Sequence, residues 1–94
     1  MIRSYRDRRT QRFAQGERVP AFQAFAQQAE KRLETLDAAE SLQDLRALRS
    51  NHLEVLRGDR EGQFSIRINR QWRICFEWPT GHDEPSQVEI TDYH

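Results

Sequence analysis

The sequence predicts an α+β fold in which two helices cover one face of an antiparallel sheet of about four strands. Two observations lead to this prediction. Apolar and polar residues alternate along residues 64–78, and apolar residues recur every three or four positions along residues 20–36. Alternation is typical of a strand with one buried face, and the longer spacing is typical of a helix with one apolar stripe. The helical stripe is therefore expected to pack on the apolar face of the sheet.

The N-terminal half is predicted to hold a short edge strand, over residues 2–5, and both helices. The first helix is rich in arginine and is expected over residues 7–15, with Gly16 in the usual closing position. The second helix begins at Pro20, which the first turn tolerates because its missing N–H would be unpaired there. The apolar stripe of the second helix consists of Phe22, Phe25, Ala26, Ala29, Leu33 and Leu36.

The sheet is predicted in the C-terminal half, after a short helical turn. Its strands are expected at residues 52–56, 64–68, 72–78 and 87–91. Asn69 and Arg70 form a tight turn between the two strongest strands. Alternation places polar side chains on a face that we expect to be open to solvent. These are Ser65, Arg67, Arg73, Cys75 and Glu77.

Length and composition indicate a single domain over residues 1–94. Cys75 is the only cysteine, which excludes an internal disulfide and a cysteine-based zinc site. We expect no cofactor and no metal. The chain shows no signal-peptide pattern and no run of about 18 apolar residues. A cytoplasmic protein without membrane contact is therefore expected.

The charge distribution is strongly uneven although the net charge is zero. Fourteen of the fifteen basic residues are arginine, and five of those lie in the first dozen residues. Residues 77–92, in contrast, carry five acids and neither lysine nor arginine. Arginine offers a planar fork that binds phosphate through two N–H groups. This bias indicates RNA or another phosphate ligand.

The residues needed to cleave RNA without a metal are present. Such cleavage needs a base for the ribose 2′-hydroxyl, cations for the charge on the phosphorane, and an acid for the leaving 5′-oxygen. Arg73 lies in the middle of the open face, and Arg57 lies at the start of the first hairpin connection, so both are placed to hold the scissile phosphate. For Arg73 the alternative is a cross-strand ion pair with Glu54 or Glu89.

Glu54 and His94 are the candidates for proton transfer. Glu54 joins the open face, because Leu53 and Val55 are expected to point to the core. Histidine changes its protonation near neutral pH. The last strand would carry the C-terminal residues to the edge of this open face, where Tyr93 could stack on a base.

Four segments resemble one known family. They are Met-Ile-Arg-Ser-Tyr at the N-terminus, Leu-Arg-Gly-Asp-Arg-Glu-Gly-Gln-Phe-Ser-Ile from Leu56, Gln-Trp-Arg-Ile-Cys-Phe from Gln71, and the terminal Asp-Tyr-His. In this order they resemble HigB-type toxins of the RelE/ParE superfamily. The resemblance implies a RelE-like fold and a metal-independent endoribonuclease that cuts mRNA in the A site of the 70S ribosome. It also implies a helix-turn-helix antitoxin of the HigA type, through which the toxin reaches operator DNA.

Carried over by position, the resemblance implies a catalytic set that consists of Glu54, Arg57, Arg73, Asp92, Tyr93 and His94. Glu54 departs from the pattern, because similar toxins often have histidine there, and either Glu54 or His94 could be the base. The predicted RNA-binding residues are Arg60, Arg67 and Arg70. Arg67 is expected to position the RNA backbone.

Two other functions remain open at this point. The ParE branch of the superfamily shares the architecture but resembles a DNA gyrase inhibitor without nuclease activity. An inactive binding module, which acts only with the antitoxin as a corepressor, is the other alternative. The terminal Asp92-Tyr93-His94 together with Arg73 favours the ribonuclease branch.

Overall fold

In the computed structural model, which describes residues 1–92, three α-helices and a four-stranded antiparallel sheet form an α+β fold. The helices are α1 (Arg8–Ala14), α2 (Ala26–Ala38) and α3 (Leu42–Ala47). The strands are β1 (Glu54–Val55), β2 (Gln63–Arg67), β3 (Arg73–Glu77) and β4 (Ser86–Thr91), in the order β1-β2-β3-β4. The predicted fold class is confirmed, with α3 as a helix where only a helical turn was expected.

Local signals account for the ends of α1. Asp7 precedes the helix, and its carboxylate accepts a hydrogen bond from the Thr10 N–H at 3.2 Å, as a typical N-cap does. The helix ends at Ala14 with Gln15 as its C-cap, and Gly16 follows with φ at 93°, in the left-handed region that glycine adopts without strain. The predicted bounds of this helix are confirmed to within one residue.

The second predicted helix is divided into two parts. Pro20–Phe25 is a 3₁₀ helix, and α2 follows it because Phe25 leaves the helical region with φ at −131°. The apolar stripe nevertheless faces the core as predicted. Phe22, Phe25, Ala29, Leu33 and Leu36 are buried, and Ala26 is partly buried.

The predicted N-terminal strand is not a regular strand. Tyr5 forms a single parallel bridge with Val88, and the Arg3 N–H donates to the carbonyl of Pro85 at 2.8 Å. Gln87 has φ at 52°, which interrupts the regular backbone of β4 beside this segment. The N-terminal segment therefore covers the β4 edge without a full ladder of hydrogen bonds.

The first strand differs most from its prediction. β1 has only two residues, and Val55 is 54% exposed, so the expectation that it points to the core was wrong. The reason is its position, because β1 lies at the sheet edge and Val55 pairs with Phe64, which is itself only partly buried. His52 precedes the strand in a left-handed conformation, with φ at 46° and ψ at 54°.

The core lies between the helices and one face of the sheet. Ile66, Ile74 and Ile90 are neighbours across β2, β3 and β4, and each is fully buried. Phe22 and Leu36 from the helical layer are equally buried. This packing leaves the opposite face of the sheet to the polar residues.

Candidate functional site

Strand register arranges the polar face in two neighbouring rows. One row crosses the sheet through Glu54, Ser65, Cys75 and Glu89, and the next contains Arg67, Arg73 and Thr91. The expectation of an open face was wrong at its centre, because Ser65 and Cys75 are fully buried. Long side chains of arginine and glutamate from the same sheet and its connections extend over these two small residues.

Arg73 is held by three contacts. Its Nε donates to the Ser65 hydroxyl oxygen at 2.8 Å, and its Nη2 donates to the backbone carbonyl of His52 at 2.6 Å. Its Nη1 lies 3.6 Å from the Glu54 carboxylate. A guanidinium has five N–H groups, so N–H groups remain on its terminal nitrogens for an oxyanion. The result is a mostly buried cation, 14% exposed, with a fixed orientation.

Ser65 and His52 hold the Arg73 side chain in place, and sequence reasoning missed both contacts. The serine could have been identified, because pairing of β2 with β3 places it one row from Arg73 on the same face. The contribution of His52 has no signal in the sequence, because it is made by a backbone carbonyl. Its left-handed backbone, unusual for a residue other than glycine, turns that carbonyl toward Arg73.

A second ion pair joins Arg60 to Glu89. The Arg60 Nη1 donates to the Glu89 carboxylate and to the Gln63 side-chain oxygen, both at 3.1 Å. Glu89 therefore pairs with Arg60, and of the two acids considered for Arg73 the partner is Glu54. Arg60 was predicted to bind RNA, and the structure places it on this face as a partly buried residue.

Cys75 lies under these charged side chains. Burial raises the pKa of its thiol to about 11, and Arg60, Arg73 and Arg6 oppose that rise while Glu89 adds to it. The thiol is protonated at neutral pH and is therefore unsuited to act as a nucleophile. The same effect shows that Arg6 is near this face, which the sequence did not indicate.

The other predicted arginines differ in their surroundings. Arg57 is exposed, directly before a 3₁₀ turn over Gly58–Arg60, and its side chain makes no hydrogen bond or ion pair with any other residue within 1–92. The Arg67 Nε donates to the carbonyl of Asn69 at 3.1 Å, which ties it to the β2–β3 turn. Arg70 lies in that turn and lines a separate groove of about 450 Å³ beside Trp72.

Only part of the predicted C-terminal site is described. Thr91 pairs with Arg73, and Asp92 follows with its Oδ2 accepting a hydrogen bond from the Gln71 side chain at 2.7 Å. Asp92 is thus fixed next to the β2–β3 turn. Tyr93 and His94 lie outside the described residues, so their roles stay predictions.

Two features are absent from residues 1–92. Within that range no three histidine, cysteine, aspartate or glutamate side chains come together as a metal-binding group. Across the same range no helix combines the length and apolar character needed to cross a membrane.

The polar face therefore presents a preorganised cation next to carboxylates. A guanidinium held in one orientation can stabilise charge that develops on a phosphate, because no reorganisation is needed when the charge forms. The exposed Arg57 and the partly exposed Arg67 add cations that a phosphate ligand from solvent can reach.

Comparison with known proteins identifies the family of the chain. Residues 3–94 match the family model described as RelE-like toxin of type II toxin-antitoxin system HigB. The chain is 45% identical over 51 residues to Toxin HigB-1 of Vibrio cholerae, a match that covers 54% of each chain. It is 35% identical over 63 residues to Endoribonuclease HigB of Proteus vulgaris, which covers 67% of this chain and 65% of that protein. The matched segments thus span between about half and two thirds of these relatives. Since the family model covers nearly the whole sequence, the chain belongs to the HigB family of RelE-like toxins of type II toxin-antitoxin systems.

Proposed function

We propose that this chain is an endoribonuclease that cuts mRNA in the A site of the 70S ribosome and so inhibits translation. The observation that carries the proposal is the fixed guanidinium of Arg73, held by Ser65, His52 and Glu54 on a face that also bears Arg57 and Arg67. The name of the Proteus vulgaris relative, Endoribonuclease HigB, supports the same reaction.

The reaction begins with attack of the ribose 2′-oxygen on the adjacent phosphorus. A P–O2′ bond forms, the P–O5′ bond breaks, and negative charge develops on the non-bridging oxygens between these events. Arg73 binds those oxygens through its remaining N–H groups, and Arg57 closes on them from the exposed side. One such contact contributes roughly 3 kcal/mol to the transition state, about a hundredfold in rate.

Two proton transfers complete the reaction. A base removes the 2′-hydroxyl proton, and an acid gives a proton to the departing 5′-oxygen. Glu54 lies beside the Arg73 guanidinium and is 55% exposed, so RNA can reach its carboxylate. We assign Glu54 as the base and His94 as the acid, with Tyr93 stacking on or orienting a base and Asp92 fixing the start of the tail.

The proposed partners follow from the family. A type II toxin is paired with a protein antitoxin, and we propose a helix-turn-helix antitoxin of the HigA type for this chain. The toxin would reach operator DNA only through that antitoxin. No metal takes part in the proposed steps.

The test is cleavage of a defined mRNA on programmed 70S ribosomes, with the cut ends mapped. We expect cuts within the A-site codon, and a loss of about a hundredfold in rate for Arg73→Ala. The control is Arg46→Ala, which removes an exposed arginine from α3, away from the polar face. Intact mRNA with the wild-type protein would refute the proposal, and inhibition of gyrase supercoiling in its place would establish the ParE-like alternative.

Glu54 and His94 are tested by single substitutions. Glu54→Gln should slow cleavage because an amide cannot take up the 2′-hydroxyl proton, and His94→Ala should slow it because the departing 5′-oxygen then lacks its acid. Rapid cleavage at neutral pH by Glu54→Gln would take Glu54 out of the scheme and leave His94 as the base.

A further inference from the structure

The polar face of the sheet, with Arg57, Arg67 and Arg73, is called the arginine face below. A second surface feature lies away from it, between the N-terminal segment, α1 and α2. It is a groove of about 360 Å³, which we call the acidic groove. The residues that decide its character are Tyr5, Phe13, Leu33, Glu30, Glu34 and Asp37. Its volume lies within the range of natural binding pockets.

The floor of the acidic groove is apolar. Phe13 and Leu33 are buried beneath it, 5% and 7% exposed, and the half-buried Tyr5 forms one wall. A groove of this kind removes apolar surface of a ligand from water, which is the main favourable term in association. The floor therefore suits an aliphatic or aromatic portion of a partner.

The rim of the groove is acidic, and α2 creates it. Glu30, Glu34 and Asp37 follow each other at intervals of four and three residues, which places all three on one side of the helix. Asp37 accepts a hydrogen bond from the Ile2 N–H at 2.8 Å. Neither Glu30 nor Glu34 forms an ion pair within residues 1–92, and no lysine or arginine lines the groove.

Charge decides the class of partner. Three carboxylates repel the phosphates of RNA, so this groove has the opposite character to the arginine face. An apolar floor with an acidic rim fits a side chain whose stem is apolar and whose end is a cation, which describes arginine and lysine. The complementary ligand is thus a protein segment with a basic residue beside an apolar one.

We infer that the acidic groove binds the antitoxin through such a segment. The inference rests on the proposed antitoxin partnership and adds to it the surface and the chemistry of the contact. A partner bound here would lie against the helical layer. It would not cover the arginine face, which is a separate surface. The groove would set the affinity of the complex, with the acidic rim selecting a basic partner.

The test compares two double variants with equal changes in charge. Glu30→Gln/Glu34→Gln removes both glutamates of the rim and keeps the shape of their side chains. Glu40→Gln/Asp83→Asn removes two exposed acids that do not line the groove. Affinity for the antitoxin encoded beside this toxin is measured by calorimetry in the absence of RNA, and circular dichroism checks that each variant is folded.

We expect the groove variant to bind the antitoxin about tenfold more weakly, and the control to bind within twofold of the wild type. The difference should shrink as salt is raised, because the rim charges are exposed. Equal affinities for the two variants would overturn the inference, and so would a wild type that does not bind the antitoxin. Because the assay contains no RNA, its result is independent of whether the chain is a ribonuclease.

Discussion

At the scale of single residues, the orientation of Arg73 is the feature on which the proposed catalysis should depend. Ser65 binds the Nε of Arg73 at 2.8 Å, and its side chain is fully buried. A cation held in one orientation stabilises a transition state more than a mobile cation does, because no side-chain freedom is lost when the reaction occurs. Ser65 is therefore a positioning residue in the proposed reaction.

Changing Ser65 tests that role. We expect Ser65→Ala to lower the rate of mRNA cleavage about tenfold, with little change in the apparent affinity for ribosomes, because the cation remains but its position is less restricted. Rates and affinities measured on programmed ribosomes give this separation. Ser65→Thr keeps the hydroxyl and should recover part of the rate. Equal rates for Ser65→Ala and the wild type would show that Arg73 does not need this contact.

Arg73→Lys tests geometry against charge at the same position. Lysine keeps the positive charge but cannot make the three separate contacts of a guanidinium, so we expect most of the activity to be lost. The measurement is single-turnover cleavage, with thermal unfolding as the check on folding. Wild-type activity in Arg73→Lys would mean that any cation at this position is sufficient.

The buried thiol of Cys75 should make stability depend on alkaline pH. Its pKa is raised from 9.0 to about 11 in the folded protein, so the native state holds this proton more tightly than the unfolded state does. The stabilisation that this proton contributes is fully present below pH 9 and is lost as the pH rises toward 11. The loss due to Cys75 should reach about 3 kcal/mol.

Urea unfolding at pH 8, 9 and 10 measures this effect. Cys75→Ala should show a smaller fall in the free energy of unfolding across that range than the wild type, whatever its stability at pH 8. Burial and Asp37 also raise the pKa of the Tyr5 hydroxyl, so Tyr5 is a second group that can make stability depend on alkaline pH. Tyr5→Phe is the control that measures its share. Parallel pH profiles for Cys75→Ala and the wild type would contradict the assignment.

At the scale of elements, α1 is joined to the sheet by one buried hydrogen bond. The Ile90 N–H of β4 donates to the Thr10 hydroxyl oxygen at 3.0 Å, and both residues are fully buried. The N-terminal segment runs along the same strand through the bridge from Tyr5 to Val88. The β4 edge is thereby covered by α1 and the N-terminal segment together, which protects it from pairing with other chains.

Thr10→Val should therefore destabilise the protein. Valine has nearly the same shape but no acceptor, so the N–H of Ile90 would be buried without a partner, at a cost of about 1–3 kcal/mol. Chemical denaturation measures the change. The control is Thr35→Val in α2, whose hydroxyl donates only to the Lys31 carbonyl one turn earlier and is partly exposed. A loss no larger than that of the control would show that water or a shift of α1 replaces the bond.

At the scale of the whole molecule, the neutral net charge hides two surfaces of opposite sign. The arginine face has cations on the polar side of the sheet, and the acidic groove has carboxylates on the helical layer. RNA is therefore expected to bind at the polar side of the sheet and not at the acidic groove. Association of the protein with the ribosome should therefore depend on salt through local charge, although the total charge is zero.

Binding to ribosomes between 50 and 200 mM salt tests this separation. If about three arginines contact phosphates, the logarithm of the association constant should fall with the logarithm of salt concentration with a slope of about −2. Arg57→Ala should reduce the size of the slope by about 0.7, and Arg46→Ala should leave it unchanged. A wild-type slope near zero would argue against phosphate contacts.

Much of the fold could be predicted because side-chain periodicity is a local property. The stripe from Phe22 to Leu36 and the alternation from Phe64 to Trp78 identified the helical layer and the central strands, and the turn at Asn69 was placed correctly. Val55 was expected to be buried in the core but is exposed. Alternation along a strand shows which face a residue occupies, but it does not show whether another element covers that face.

The candidate site was predictable in part for the same reason. The sequence by itself determined the fold class, the family and the arginines of the polar face, because these depend on residue types and their spacing. Tertiary structure decided what those arginines touch. The pairing of Arg73 with Glu54, its contact with the His52 carbonyl, the burial of Cys75 and the acidic groove all depend on strand register and on how separate elements pack. Contacts between residues distant in the chain are a property of the packed molecule, and no local pattern specifies them.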